Sequence, residues 1–420
     1  MAFTRDIVIT GFGVVSPIGI GLAPFRASLE SGQSGIREIT RFDVNYLHVN
    51  FGGELLDFDG KDYVKPRKAI KLMARPLQTS FAAAELAVAH SGLAPNSIPP
   101  DRFGVVLGSE MMYLEVDELI ESYRTCVADF QMQWGKWYPA AAENLNPLWM
   151  LRYLPNMPAC HIGIAHDARA HNNTIACGDA SPLLAIGEAM HAIERGHADV
   201  MIAGGVGQRI NLNPLIRRIG NDLSQRRDNP MAASRPFDAD RDGQVNGEGS
   251  AIFVLETREH AEQRGAKIFA RLVGFGSSFQ TPVGGTMAPD GVAHSIRAAL
   301  QSAGLNAADI GHVNAHGLST VPDDITEATA IRSILGDVPV TALKSYFGNL
   351  GAGGGAVELA GSLLDLAAGI VPRTLNYERP DPRCPVNVVH GQPLTGCKPV
   401  VLKLSQSSTG QTAALVVAAS

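Results

Sequence analysis

Cys177 is the residue whose type and setting most directly indicate chemistry. It lies in the stretch 173–180, Asn-Thr-Ile-Ala-Cys-Gly-Asp-Ala, and an apolar helix is predicted directly after it, over 181–195. The positive end of a helix dipole favours a thiolate, and the unpaired N–H groups of a first helical turn can stabilise an oxyanion. This cysteine can therefore be a nucleophile, although a small buried apolar position would also accept it.

His316 is the second candidate. It lies in the stretch 313–320, Val-Asn-Ala-His-Gly-Leu-Ser-Thr, where a short predicted strand ends at a glycine turn. Side chains at strand ends commonly face the binding site of α/β proteins. A hydrogen-bonded turn histidine is the alternative interpretation of the same pattern.

Two other motifs imitate ligand-binding loops. Residues 344–358 form a glycine-rich turn before a predicted helix and could hold a phosphate, but they lack the order G-x-x-x-x-G-K-[ST] of a nucleotide loop. Residues 238–243 imitate the start of a calcium loop, yet its twelfth position is Gly249 where a glutamate is required. We therefore predict neither a nucleotide site nor a calcium site.

Composition limits the class of protein. The 420 residues are 45% hydrophobic and 18% charged, with a net charge of -6 and no dense basic run, which disfavours nucleic-acid binding. Five scattered cysteines without a C-x-x-C pair disfavour a disulfide framework or a metal site. The N-terminus resembles a strand rather than a signal peptide, and no apolar run is long enough to span a bilayer. We expect a cytoplasmic protein if the sequence is complete.

The elements that must position these residues alternate along the chain. Buried strands are predicted over 7–10, 104–108, 200–204, 251–256, 268–274, 312–315, 400–404 and 413–417. Helices are predicted over 24–30, 71–91, 181–195, 294–304, 327–335 and 356–368. This alternation favours an α/β fold with a mostly parallel sheet covered on both faces. The similar content of the two halves suggests an internal duplication.

Residues 110–160 differ from the rest of the chain. They contain all three tryptophans, several methionines and four tyrosines, among them Tyr113, Tyr138 and Tyr153. Such a segment can be ordinary core, a subunit interface, or the lining of a lipophilic substrate channel.

Several motifs together resemble the elongating β-ketoacyl-acyl-carrier-protein synthases, in family order and almost end to end. They are the stretches 9–19, 29–36, 198–205, 232–238 and 314–317, together with Cys177. The resemblance implies a thiolase-like fold of two pseudo-duplicated α/β halves in five layers, α-β-α-β-α. It places an N-terminal half at 1–256, with a cap or interface insertion at about 110–160, and a C-terminal half at 257–420.

The resemblance also implies roles for individual residues. Cys177 would carry the acyl group, and His316 would hydrogen-bond the thioester carbonyl of a malonyl unit. Lys344 and Glu358 would form a buried ion pair that orders the site. Thr320 would contact the phosphopantetheine arm, which arrives on the substrate, so no separate cofactor or metal is implied.

This chain departs from the family pattern at four places. Asn349 stands where a second catalytic histidine is expected, and Leu318 replaces a threonine. Gly178 and Asp179 follow the cysteine, where small hydroxyl residues are usual. The C-terminal G-F-G-G-T-N loop aligns with residues 407–412, Ser-Ser-Thr-Gly-Gln-Thr, which makes Ser408 a candidate substrate-binding residue. Cys-His-Asn is nevertheless the triad of related initiating synthases, and an asparagine amide can donate to an enolate oxygen.

The resulting hypothesis is a divergent β-ketoacyl synthase. It would condense an acyl group on Cys177 with malonyl-acyl carrier protein, using His316 and Asn349, in fatty-acid or polyketide-type biosynthesis. One alternative keeps Cys177 but transfers or hydrolyses the acyl group. Another is a non-catalytic partner that resembles a chain-length factor. A homodimer, or a heterodimer with another ketosynthase-like chain, is expected.

Overall fold

The computed structural model describes residues 3–217, 222–282 and 288–420. The strands are β1 (Ile7–Ser16), β2 (Gly19–Ile20), β3 (Ile36–Glu38), β4 (Phe51–Gly53), β5 (Phe103–Gly108), β6 (Val127–Ala128), β7 (Gln131–Met132), β8 (Asn172–Ile175), β9 (Val200–Gln208), β10 (Glu248–Thr257), β11 (Ala270–Phe279), β12 (His312–Asn314), β13 (Pro339–Thr341), β14 (Asn387–Val388), β15 (Val400–Gln406) and β16 (Gln411–Ala419). The helices are α1 (Leu22–Ser31), α2 (Arg75–Ser91), α3 (Val116–Cys126), α4 (Trp137–Asn144), α5 (Met157–Ala165), α6 (Ser181–Glu194), α7 (Leu212–Arg217), α8 (Arg258–Gln263), α9 (Pro289–Ala303), α10 (Val321–Leu335), α11 (Lys344–Phe347) and α12 (Gly354–Leu363).

The main sheet repeats one strand order in two halves. From edge to edge it runs β14-β13-β12-β15-β16-β11-β1-β10-β9-β5-β8. Each half contributes five strands that can be numbered one to five in chain order. In space both sets lie in the order third, second, fourth, fifth, first, namely β8-β5-β9-β10-β1 in the first half and β13-β12-β15-β16-β11 in the second. The halves join through a short ladder between β1 and β11, in which Ile7 pairs with Leu272 and Ile9 with Ala270.

Helices complete five layers. Helix α6 packs against β5 and β9 of the first half and β11 and β16 of the second, while α12 contacts β9 and β10 on one side and β12 and β15 on the other. Helices α2 and α5 cover the outer face of the first half; α9 covers that of the second, with α10 packed on it. The α-β-α-β-α arrangement and the duplicated halves confirm the predicted thiolase-like fold class.

The prediction of a mostly parallel sheet is wrong for the centre of each half. The long ladders of β1 with β10, β10 with β9, β11 with β16 and β15 with β16 are antiparallel. Parallel pairs are found among the outer strands, such as β5 with β8 and β12 with β13. Strands buried on both faces form continuous apolar runs in either orientation, so the run alone did not reveal the direction. A tight turn after β15 brings β16 back alongside it, which requires an antiparallel pair.

The aromatic segment 110–160 divides into two parts. Trp149 and Tyr153 pack on the core of the first half, around α2 and α5. Helices α3 and α4 and the β6–β7 hairpin lie further out, where Trp134 and Tyr138 are exposed. Across the three described ranges, no helix has both the length and the apolar character needed to cross a membrane.

Candidate active site

Side chains from both halves line a cavity of about 440 Å³. The lining residues are Glu110, Met111, Tyr113, Ala176, Gly178, Asp179, Arg209, Asp222, Gln244, His316, Leu318, Thr320, Asp323, Gln406, Ser407, Ser408 and Thr409. Within the aromatic segment 110–160, all of which the structure describes, only Glu110, Met111 and Tyr113 line this cavity, and no tryptophan does. A second cavity of about 450 Å³ lies between α2 and α5 and contains none of the predicted site residues.

Cys177 lies between β8 and α6, at the edge of this cavity. Its backbone N–H donates to Ser181 Oγ at 2.8 Å, where α6 begins. Gly178 has a φ of +58°, and a Cβ at this position would lie 2.8 Å from Ser407 Oγ. Only glycine fits this combination without strain, and it brings the cysteine close to the turn between β15 and β16. The thiol is therefore at the positive end of a buried helix, beside a turn from the other half.

His316 follows β12, and two side chains, those of Glu327 and Lys344, hold its backbone N–H, its carbonyl and its ring Nδ1. The carboxylate of Glu327, on α10, accepts the backbone N–H groups of His316 and Gly317 at 2.7 and 2.8 Å. Lys344 Nζ donates to the His316 carbonyl at 2.8 Å and lies 3.1 Å from His316 Nδ1. Because an ammonium can only donate, Nδ1 must be the acceptor and Nε2 must carry the hydrogen.

The histidine is neutral. Burial, reinforced by the nearby ammonium of Lys344, holds the pKa of His316 well below its usual value of 6.5. Its Nε2 points toward Asp179, whose Oδ2 lies 3.9 Å away. The site thus presents a neutral N–H donor toward the cavity.

A buried charge network supports the histidine. Glu358, on α12, pairs with Lys344 through Oε1 at 2.6 Å and with Lys403 through Oε2. Lys403 also donates to the Ala315 carbonyl at 3.0 Å, directly before the histidine. Burial, together with the nearby Lys344, lowers the pKa of Lys403 to about 8 despite Glu358. No motif pointed to Lys403, although a lysine inside the apolar run of β15 was a usable signal.

Asn349 is buried, and two residues of the cavity lining, Asp179 and Gln244, hold its amide. Its Nδ2 donates to Asp179 Oδ2 at 3.1 Å and to Gln244 Oε1 at 2.8 Å. Its Oδ1 accepts the backbone N–H of Gly351 at 3.1 Å. Both amide hydrogens therefore have protein acceptors, which differs from the expectation that this side chain donates to a substrate oxygen.

Asp179 connects these groups to a buried arginine. Its carboxylate accepts hydrogen bonds from Arg209, which also pairs with Glu110 at 3.4 Å. Burial acts to lower the pKa of Arg209, but the two carboxylates overcome it and raise that pKa above its usual value. Arg209 and Gln244 lie between β9 and β10 in the chain, and no motif in the sequence marked them.

The two predicted substrate-binding residues, Thr320 and Ser408, both line the cavity. Thr320 Oγ1 donates to Asp323 Oδ2 at 2.6 Å. Ser408 is exposed in a tight turn in which Gly410 N donates to the Ser407 carbonyl at 2.9 Å. Hydroxyl groups are thus part of the cavity lining, where they could form hydrogen bonds with a polar substrate arm.

Comparison with known proteins identifies the family. Residues 4–261 match the beta-ketoacyl synthase N-terminal domain, and residues 269–378 match the corresponding C-terminal domain. The 3-oxoacyl-[acyl-carrier-protein] synthase 2 of Synechocystis sp. is 34% identical over 395 residues, covering 92% of each chain. A putative polyketide beta-ketoacyl synthase 1 of Streptomyces cyaneus is 36% identical, covering 92% of this chain and 91% of that protein. The solved ishigamide ketosynthase/chain length factor has a TM-score of 0.86 at 28% identity and covers 99% of both chains.

The chain belongs to the β-ketoacyl synthase family. This membership places it among the acyltransferases. The resemblance first seen in its motifs is confirmed for the family, whereas the catalytic roles of individual residues remain predictions.

Proposed function

We propose that the protein catalyses decarboxylative Claisen condensation on carrier-protein thioesters. Cys177 attacks an acyl thioester, forms a new thioester and releases the carrier thiol. The C–C bond to the carboxylate of a malonyl thioester then breaks, CO₂ leaves, and the enolate carbon attacks acyl-Cys177. The products are a 3-ketoacyl thioester and free Cys177.

The observation that carries this proposal is the state of His316. Lys344 holds its Nδ1 as an acceptor, so Nε2–H is a fixed donor at a cavity that is also lined by Ala176 and Gly178, the two neighbours of Cys177 in the chain. A preorganised neutral donor stabilises the negative charge that develops on the thioester oxygen during decarboxylation. The Lys344–Glu358–Lys403 network supports this geometry without contacting the cavity.

The setting of the reaction belongs to the same proposal. The names of the relatives support an acyl carrier protein as the partner and fatty-acid or polyketide biosynthesis as the context. The ketosynthase/chain length factor with the same fold supports a dimer with a like chain. All five cysteines are unpaired, which suits a reducing, cytoplasmic compartment. We propose no cofactor besides the pantetheine arm of the substrate.

A second candidate function is acyl transfer or hydrolysis through Cys177 without condensation. It is favoured by the amide of Asn349, because both of its hydrogens already have protein acceptors and enolate formation would then have one side-chain donor fewer. Removal of one such donor commonly costs about 100- to 1,000-fold in rate. Under this alternative, acyl-Cys177 would form normally but would not react with malonyl thioesters.

The two candidates are separated by intact-protein mass after incubation with acyl-carrier proteins of several chain lengths. The proposal expects one acyl group on wild type and on Cys160→Ala, a matched control at another partly exposed cysteine, and none on Cys177→Ala. Malonyl-carrier protein should then discharge the acyl group with release of CO₂. Discharge by water or an alcohol alone would favour the second candidate, and no acylation of any kind would refute both.

A further inference from the structure

Gln406, the last residue of β15, has a buried side-chain amide that no other residue holds. The residue is only 4% exposed. Neither its Oε1 nor its Nε2 forms a hydrogen bond with any residue that the structure describes. A buried amide without a partner costs free energy, and most buried polar groups in folded proteins are therefore paired. The unpaired amide of Gln406 indicates a partner from outside the protein.

The position of Gln406 shows where such a partner could bind. Its side chain lines the candidate active-site cavity and not the second cavity between α2 and α5. Strands β12 and β15 are parallel neighbours, and Asn314 lies opposite Lys403 in their ladder. His316 and Gln406 follow these two residues closely in the chain, so both lie at the same edge of the sheet. A ligand that enters this cavity can therefore reach Gln406.

The backbone holds Gln406 near the predicted nucleophile. The ladder of β15 with β16 pairs Gln406 with Thr412. The next residue, Ser407, packs against Gly178, because a Cβ on that glycine would lie 2.8 Å from Ser407 Oγ. Gly178 directly follows Cys177. A substrate group that binds Gln406 would therefore be close to the thioester that reacts at the thiol.

The two unpaired atoms define the kind of group that Gln406 can bind. Nε2 offers hydrogens and Oε1 offers lone pairs, so a ligand that satisfies both must accept one hydrogen bond and donate another. A secondary amide has a carbonyl oxygen and an N–H, whereas a saturated acyl chain has neither. The phosphopantetheine arm of a carrier protein contains secondary amides, and an acyl chain with an internal amide bond offers the same groups.

We propose that Gln406 is a substrate-binding residue whose side-chain amide pairs with a secondary amide of the thioester substrate. This inference rests on the proposed function, because it assumes that thioesters react at Cys177. A site whose buried polar groups stay unpaired with the wrong substrate discriminates more strongly than an apolar pocket does. Gln406 therefore favours amide-bearing thioesters over those that lack an amide. The carrier arm and the acyl chain are the two sources of such an amide, and the test distinguishes them.

The test compares three thioesters as acyl donors to Cys177, with intact-protein mass recorded over time. S-ethyl hexanethioate has no amide, hexanoyl-pantetheine has amides in its arm, and the S-ethyl thioester of N-acetylated aminohexanoic acid has an amide in its acyl chain. Gln406→Met keeps the length of the side chain but removes both hydrogen-bonding atoms. It should react at least tenfold more slowly than wild type with at least one amide-bearing thioester, since two neutral hydrogen bonds are together worth roughly 10- to 100-fold in affinity. With the amide-free thioester it should stay within twofold of wild type.

Ser405→Ala is the matched control. The Ser405 hydroxyl is also buried and has no partner within the described part of the chain. It packs against Gly355 on α12, where a Cβ would collide with it, and it does not line the cavity. This variant should react within twofold of wild type with all three thioesters.

Urea unfolding shows whether a loss of rate comes from misfolding. Gln406→Met should unfold at a urea concentration no lower than wild type, because an apolar side chain replaces an unpaired buried amide. A clearly lower midpoint would refute the inference, since it would mean that another part of the protein holds the Gln406 amide.

The rates with the three thioesters decide the inference and identify the source of the amide. If Gln406→Met slows only hexanoyl-pantetheine, the carrier arm supplies the amide; if it slows only the acylaminohexanoyl thioester, the acyl chain does. Equal rates for variant and wild type with all three thioesters would refute the inference, and water would then be the partner of Gln406. Equal slowing with all three would also refute it, because Gln406 would then not recognise an amide.

Failure of the inference can be distinguished from failure of the proposed function. If wild-type Cys177 is acylated but the Gln406→Met rates show no dependence on an amide, the inference is refuted and the function stands. If wild type accepts no acyl group, the function fails, and binding of the corresponding thioethers, which cannot transfer their chains, decides the inference. A loss of at least tenfold in affinity of Gln406→Met for an amide-bearing thioether supports the inference, and equal affinities refute it.

Discussion

Replacement of Glu358 by glutamine tests the charge network that supports His316. Two unit charges 2.6 Å apart attract by about 6 kcal/mol at an effective dielectric constant of about 20. Desolvation of the buried ions offsets much of that attraction. Removing one partner of a buried pair leaves the other uncompensated and typically costs about 3–5 kcal/mol. Glu358→Gln leaves both Lys344 and Lys403 without their carboxylate, so we expect a loss of about 3–5 kcal/mol in the free energy of unfolding.

The same substitution should impair chemistry in the protein that remains folded. Lys344 fixes the tautomer and the position of His316, and a displacement of about 1 Å can cost roughly 100-fold in rate. We therefore expect Cys177 to be acylated at low temperature while discharge by malonyl-carrier protein slows by about that factor. Urea unfolding at fixed protein concentration measures stability, and single-turnover mixing of isolated acyl-enzyme with malonyl-carrier protein measures discharge.

Glu256→Gln is the matched control. Glu256 is fully buried at the end of β10, where it binds Arg264 at 2.5 Å and His260 at 2.6 Å, outside the cavity lining. It should lose stability but discharge its acyl group within about threefold of wild type. The reasoning is refuted if Glu358→Gln loses less than 1 kcal/mol, or if it discharges as fast as Glu256→Gln.

Two further predictions concern the cavity. Because burial and Lys344 keep His316 neutral, lowering the pH from 7.5 to 6 should not protonate it, and the rate of acyl discharge should show no inflection near pH 6.5. Single-turnover rates of pre-acylated enzyme across this pH range measure this. An inflection that is present in wild type and absent in His316→Gln would contradict the prediction. Gly207→Ala would drive a Cβ into the backbone carbonyl of Leu350, in the turn after Asn349. Discharge of the acyl group should therefore slow at least tenfold, while acylation of Cys177 changes little. Gly135→Ala, at a position with open space around it, is the control, and equal slowing of acylation and discharge by Gly207→Ala would show that the turn is not specific to discharge.

Glycine was the main reason why predicted element boundaries differ from the structure. The first strand was predicted to end at Thr10 because Gly11 and Gly13 follow it, yet β1 continues to Ser16. A Cβ at Gly11 would lie 2.5 Å from the Ala87 carbonyl, and one at Gly13 would collide with the backbone of Ala83, both on α2. These glycines permit close helix–strand packing rather than a turn, and only the tertiary contact distinguishes the two.

The site could be predicted where it depends on local motifs, but not where it depends on contacts between residues that are far apart in the chain. Cys177 and His316 are recognisable from the stretches that contain them, and the structure brings both to one site. The orientation of Asn349 depends on Asp179 and Gln244, which are 170 and 105 residues away in the chain. Such contacts leave no periodic signal in a single sequence, so the direction of the amide could not be inferred.

The repeated strand order has a consequence for how this site could arise. In the first half, the segment after the third strand carries Cys177, the predicted nucleophile, and leads into α6. In the second half, the segment after the third strand carries Asn349 and leads into α12. Two identical subunits related by symmetry would have to place the same residue on both walls of a shared cleft. Fusion of the copies into one chain removes that restriction, because each wall can then mutate independently. The first half can therefore supply Cys177 and the second half His316 and Asn349, and neither half contains all three predicted catalytic residues.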